Sequence, residues 1–191
     1  MKLKTLMAAF MALTLVGSIG TVFAAEPPAA PAAAAAPAAA APAKPPALKV
    51  GDMFQEFSIP DGDGKNVSFN ADIKGKAKFT AIIFMNTSCS ACQMEARIMN
   101  GLANENKDLK VYGLLVDARG EAAIAGYKER NPTPNIMFLV DKAFTVPPVY
   151  GYTYTPAMVI VDKSGKIIES KGGFLASQGE EFAKNMKDLL K

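Results

Sequence analysis

The chain has 191 residues, a formal charge of +3 from 21 basic and 18 acidic side chains, two cysteines and no histidine. The missing histidine excludes serine-type triads, histidine-ligated zinc and covalent haem attachment, since Gln93 follows Cys92. Whatever chemistry the chain carries therefore runs on thiols, carboxylates or backbone.

The first quarter does not read as folding material. Lys2 and Lys4 precede an apolar run from Leu6 to Phe23, and Val22-Phe23-Ala24 stands at a plausible cleavage point, so residues 1–24 are expected to be a signal peptide. The alternative is an uncleaved anchor, because Thr5 to Phe23 approaches the length of a bilayer span. Residues 25–47 are almost purely Ala and Pro and read as an extended spacer. That leaves 48–191 as a single globular domain. Cleavage would remove Lys2 and Lys4 and no acid, taking +3 to +1, so the basicity belongs mostly to the leader. No basic patch interleaved with aromatics occurs, and no nucleic-acid partner is expected.

Along the domain, "MFQEFSIP" and "KNVSFN" flank Asp61-Gly62-Asp63-Gly64, which predicts a hairpin. A calcium loop fails there, because Lys65 and Asn66 stand where that motif needs an oxygen ligand and a glycine. "KFTAIIFM" is a continuous apolar run, suited to a strand covered on both faces by helices. After it, Ala91, Met94, Ile98 and Leu102 recur at helical spacing to about Asn104. "VYGLLVD" predicts a second buried strand, Glu121 to Arg130 a helix halted by Asn131-Pro132, and "NIMFLVD" a short strand. "AMVIVD" and "KIIES" pair across Lys163-Ser164-Gly165. Ser177 with Glu180 predicts a capping box for a last helix that turns Phe182, Met186 and Leu189 inward. The order gives an α/β sandwich with a mixed sheet.

Both cysteines fall where the first apolar strand gives way to helix. A cysteine in that turn meets the unsatisfied N–H groups and positive end of the helix, which stabilise a thiolate, and Cys89 has that position. Cys92, one turn further in, can attack a mixed disulfide on Cys89. A static clip is a poor alternative, because closing two intervening residues restrains little chain entropy.

Cys89-Ser90-Ala91-Cys92 at a strand-to-helix turn, with Thr155-Pro156 just before "AMVIVD", resembles the thioredoxin superfamily. "VGDMFQEFSIPDGDGKNVSF", the helix between two central strands, Glu95 and "VDKSGKI" narrow the likeness to exported TlpA/ResA-like proteins and related AhpC/TSA redoxins. The resemblance implies a thioredoxin-like three-layer α/β/α sandwich with a central mixed sheet and an N-terminal β-hairpin. It implies an exported thiol:disulfide oxidoreductase, in the periplasm or tethered to the membrane by its N-terminus, that needs no cofactor or metal. It makes Cys89 and Cys92 catalytic and Thr155 and a cis Pro156 the substrate-docking edge. By family analogy the partners are disulfide-containing exported proteins, apocytochrome c among them, and a membrane thiol donor. The sequence departs from the family at Ser88, where Trp is common, and at Ile83, where thioredoxin has a buried Asp. Glu95 is then the candidate proton relay, expected to face solvent.

Two other readings carry chemistry. A peroxiredoxin-like peroxidase needs Thr three residues before the reactive cysteine and a proline nearby, whereas Asn86 holds that position and Thr87 lies one residue closer to Cys89. A thiolate Cu(I)-delivery module suits soft sulfur ligands. Its relatives, however, space the cysteines by three residues and add a histidine, and Met85, Met94 and Met99 read as core fillers.

Overall fold

The computed structural model describes residues 47–191. The expected leader at 1–24, and all but the last residue of the expected spacer at 25–47, lie outside the described residues. No described helix is long and apolar enough to cross a membrane.

A two-stranded hairpin, β1 (Ser58–Pro60) and β2 (Asn66–Ser68), opens the domain. The elements β3 (Phe79–Met85), α1 (Ser90–Glu105), β4 (Leu109–Leu115), α2 (Glu121–Arg130) and β5 (Ile136–Val140) follow, then β6 (Ala157–Asp162), β7 (Ile167–Gly172) and α3 (Gly179–Leu189). The five-stranded sheet has the order β5-β4-β3-β6-β7. β3, β4 and β5 run parallel, while β6 is antiparallel to β3 and β7 to β6. This is the mixed sheet expected from the order of elements, and the helix at Glu121–Arg130 has the expected bounds.

Every residue of β3 is buried, and its alternating side chains feed two separate cores. Ala81, Ile83 and Met85 face α1, α2 and α3 through Ala96, Met99, Ile124, Tyr127 and Phe182. Ile82 and Phe84 face the hairpin side, where Phe54, Phe57, Phe69 and Tyr150 pack. Helices alone were expected on both faces of this strand. All three α-helices instead lie in one core. The other layer consists of the hairpin, a wide helical turn at Phe69–Ile73 and a 3-10 turn at Pro147–Tyr150. An aromatic cluster fills the space a helix would take, with Phe54 stacked on Tyr150 at 4.6 Å between centroids.

Two helix details differ from the pattern read in sequence. The buried face of α1 is Cys92, Glu95, Ala96, Met99, Leu102 and Ala103, whereas Met94 is exposed and Ile98 only half-buried. The apolar stripe was drawn around Glu95, and the true face runs through it. The capping box is absent. Ser177 sits inside a 3-10 turn, Ala176–Gln178, whose own backbone bonds lead straight into α3, and Gln178 caps the helix without a side-chain bond.

Gly113, in the middle of β4, lies between Ile83 of β3 and Phe138 of β5. A Cβ there would stand 2.7 Å from the Phe138 ring and 3.1 Å from Met85 Sδ, so the glycine is required by close packing. Gly113→Ala is expected to destabilise the domain by about 1–3 kcal/mol through overpacking. Chemical denaturation checks this, the midpoint falling while the m-value holds.

Candidate functional site

The site lies at the carboxyl end of β3. Ala157 pairs with Phe84, so Pro156 stands level with Met85, four residues before Cys89. The sheet register thus brings the two sequence-predicted segments to one edge. The Thr155–Pro156 peptide is cis, as the resemblance implied, and the Pro156 carbonyl accepts the Gly173 N–H at 2.8 Å.

Cys89 is the N-cap of α1, with extended dihedrals (φ −90°, ψ 107°), and its Sγ accepts the Cys92 N–H at 3.1 Å. A sulfur here takes the place of the Ser or Asp oxygen that ordinarily satisfies an orphan donor of the first turn. Cys89 is half-buried, Cys92 is fully buried, and the two form a disulfide across a Cα–Cα distance of 5.2 Å. One sulfur is therefore open to attack and the other shielded by the core.

Glu95 corrects an expectation. It does not face solvent: it is 1% exposed and lies three residues after Cys92 on the same buried face of α1. Its Oε2 has no hydrogen-bond partner among the described residues. Burial pushes its carboxyl up to about 7, against a smaller opposing pull from Lys171 on β7. A side chain that sequence reasoning placed in water thus lies on the buried face of α1, one turn after Cys92, and titrates near neutral pH.

Sequence reasoning also missed a polar cluster beside the turn. The Thr87 hydroxyl donates to Asp117 Oδ2 at 2.6 Å and accepts from Arg119 Nη2 at 2.7 Å. Arg119 grips the same carboxylate through Nε at 2.9 Å and Nη2 at 2.7 Å. The guanidinium and its hydrogen bonds hold the Asp117 carboxyl well below the usual carboxylate range. The only hint in sequence was an acid and an arginine, Asp117 and Arg119, directly behind the apolar run "VYGLLV". Their partner Thr87 is 30 residues away in the chain. Among the described residues no group of three or more histidine, cysteine or acidic side chains could hold a metal ion.

The model of the AhpC/TSA family matches residues 50–170. The thiol-disulfide oxidoreductase ResA of Bacillus thuringiensis subsp. konkukian is 28% identical over 141 residues, which cover 73% of this chain and 79% of that protein. ResA of Bacillus anthracis is 27% identical over 123 residues, or 64% of this chain and 69% of its own. A candidate thiol:disulfide interchange protein DsbE from Chlorobium tepidum superposes with a TM-score of 0.65 at 20% identity, covering 76% of this chain and all of that one. A thiol:disulfide interchange protein from a Bacteroides species gives 0.59 at 23% identity, over 75% and 91% of the two chains. At such identities the structures speak for the fold.

The raised pKa of Glu95 makes stability depend on pH. The folded state holds the proton from an ordinary value of 4.5 up to about 7, so the stabilisation is complete below 4.5 and is lost as pH rises through 7. The loss should amount to roughly 3 kcal/mol in the oxidised protein, at about 1.4 kcal/mol per pKa unit. Glu95→Gln should flatten the profile, matching the parent at pH 4.5 and exceeding it at pH 8. Denaturation series at both pH values measure this.

Proposed function

We infer the function from one premise: the chain belongs to the AhpC/TSA family, whose model its residues 50–170 match. It is a thiol:disulfide oxidoreductase. The observation that carries this reading is the asymmetric pair at the start of α1, a half-buried sulfur at the helix end bonded to a fully buried one behind it.

In the reduced protein the Cys89 thiolate attacks a substrate disulfide. A Cys89–substrate bond forms, the substrate S–S bond breaks, and one substrate thiolate leaves. Cys92 then loses its proton and attacks Cys89 Sγ. The Cys89–Cys92 bond closes, the second substrate thiolate leaves, and two electrons have passed to the substrate. Cys92 sits in the apolar core and cannot keep a thiolate cheaply, so its proton needs a nearby acceptor. Glu95, on the same buried face and with its carboxyl raised to about 7, is that relay, because proton transfer works best when the acceptor titrates near the working pH. Thr155 and Pro156 form the edge along which the substrate chain docks.

The direction is reductive. Ser90 and Ala91 lie between the cysteines, without the histidine that favours the thiolate in strong oxidants. The working place is outside the cytoplasm, which the charged and apolar leader followed by an Ala/Pro spacer supports. The substrates are disulfide-containing exported proteins, apocytochrome c among them, and a membrane thiol donor restores the dithiol.

Two measurements test this. Cys92→Ser, expressed with its leader, should accumulate covalent protein adducts that vanish on reduction, and Cys89→Ser should accumulate few. Equal trapping by both, or by neither, sinks the reading. A peroxidase would instead give Cys89 sulfenic acid on exposure to peroxide, and a copper carrier would trap nothing. The potential of the couple, equilibrated against glutathione, should lie nearer the roughly −270 mV of thioredoxin than the roughly −120 mV of DsbA.

A further inference from the structure

The turn that presents Cys89 is fastened to the loop after β4 by side chains from both sides. Asn86 Nδ2 donates to the Val116 carbonyl at 2.7 Å, while its Oδ1 accepts the Ser88 N–H at 2.9 Å. One residue on, the Thr87 hydroxyl is held between Asp117 and Arg119, and the Thr87 carbonyl accepts Gln93 Nε2 from α1 at 3.3 Å. Thr87 and Asp117 are buried at 6% and 9% exposure, but the Arg119 side chain is 62% exposed.

We propose that Thr87, Asp117 and Arg119 are positioning residues that hold Cys89 in line with the first N–H groups of α1 and thereby set its acidity. The inference rests on the reading of Cys89 as the attacking thiol. Stabilisation by a helix end fades within one turn and depends on the sulfur facing the donors. Cys89 reaches its capping geometry from a turn only three residues long, Asn86 to Ser88, whose middle member carries the hydroxyl. The guanidinium is 62% exposed, so the charge of Arg119 adds little to global stability, while the buried Asp117 carboxylate anchors the hydroxyl beside it. Converging a carboxylate and a guanidinium on one hydroxyl two residues from the sulfur fixes the local backbone instead.

Charge alone is a weaker explanation. Asp117 and Arg119 are bonded and opposite in sign. At the same end of the sheet Glu121 is paired with Lys142 at 2.7 Å, and from α1 and β7 the facing groups are Glu95, largely neutral below pH 7, and Lys171. Asp117 stays ionised throughout the range in which a thiol titrates, so the unit does not switch during the measurement.

Thiolate absorbance of Cys89 against pH, read in a Cys92→Ser background, tests the proposal. Thr87→Val, Asp117→Asn and Arg119→Gln should each raise the Cys89 midpoint by about one unit, a tenfold loss of thiolate below it. Thr87→Ser, which keeps the hydroxyl, should restore the parental midpoint, and thermal unfolding should confirm that each protein is folded. Shifts of opposite sign for Asp117→Asn and Arg119→Gln would overturn the proposal in favour of a through-space field. Unmoved midpoints with lowered melting temperatures would overturn it in favour of a scaffold role. A parental Cys89 titrating at an ordinary thiol value of about 8.5 would remove the reading of Cys89 itself, and this inference with it.

Discussion

The hydrogen bond from the Cys92 N–H to Cys89 Sγ is the contact around which the rest of the domain is arranged. An α-helix leaves its first N–H groups without partners, and a protein ordinarily covers them with an oxygen. Here a sulfur does so, which binds the local structure and the chemistry together: the group that ends the helix is the group that reacts. For that the helix must begin at one fixed residue. β3 provides the fixed point, because it is buried on both faces, paired with β4 along its whole length and with β6 from Phe79 to Phe84. A slip of one residue would exchange its two core faces and carry Cys89 away from the helix end.

Burial pushes both unusual carboxyls near the site up, yet their net shifts are opposite. Asp117 is 9% exposed but meets a guanidinium at 2.7 Å and a hydroxyl at 2.6 Å, so attraction and hydrogen bonding outweigh desolvation and it stays ionised. Glu95 is 1% exposed with one oxygen unpartnered, and the pull of Lys171 is smaller than the desolvation cost, so it holds its proton to about pH 7. Burial alone decides neither case. The presence of a bonded counter-charge does.

Much of this was legible in sequence because its causes are local. Continuous apolar runs gave β3 and β4, Asn131-Pro132 stopped α2, and the turn cluster at Asp61–Gly64 separated the hairpin strands. The cysteine spacing placed both sulfurs on the first turn of a helix. What escaped is tertiary. A charged residue among apolar ones is assigned to solvent by its type, and nothing within α1 reveals that the layer above Glu95 is closed by other elements. The same error exchanged Met94 for Glu95 on the buried face. Thr87, Asp117 and Arg119 join across 30 residues, a distance at which no periodicity operates. Nor did the sequence reveal that all three α-helices share one core while the hairpin and its aromatic side chains cover the other face of β3.

The same geometry explains why sulfur exchange fits this chain better than peroxide chemistry. Holding a peroxide in the peroxiredoxin manner takes a threonine hydroxyl free to bond it near the reactive sulfur, and the threonine nearest in sequence, Thr87, already donates its hydroxyl to Asp117 and accepts from Arg119. Releasing it would cost a buried carboxylate one of its bonds. Attack on a disulfide makes no such demand. It needs an exposed sulfur, a second sulfur within reach, and an acceptor for the second proton away from water. Cys89, Cys92 and Glu95 occupy successive positions down the first turn and a half of α1, from the half-open surface to the closed core. The sulfur that a substrate can reach thus lies at the surface, with the second sulfur and a buried carboxyl behind it on one helix face.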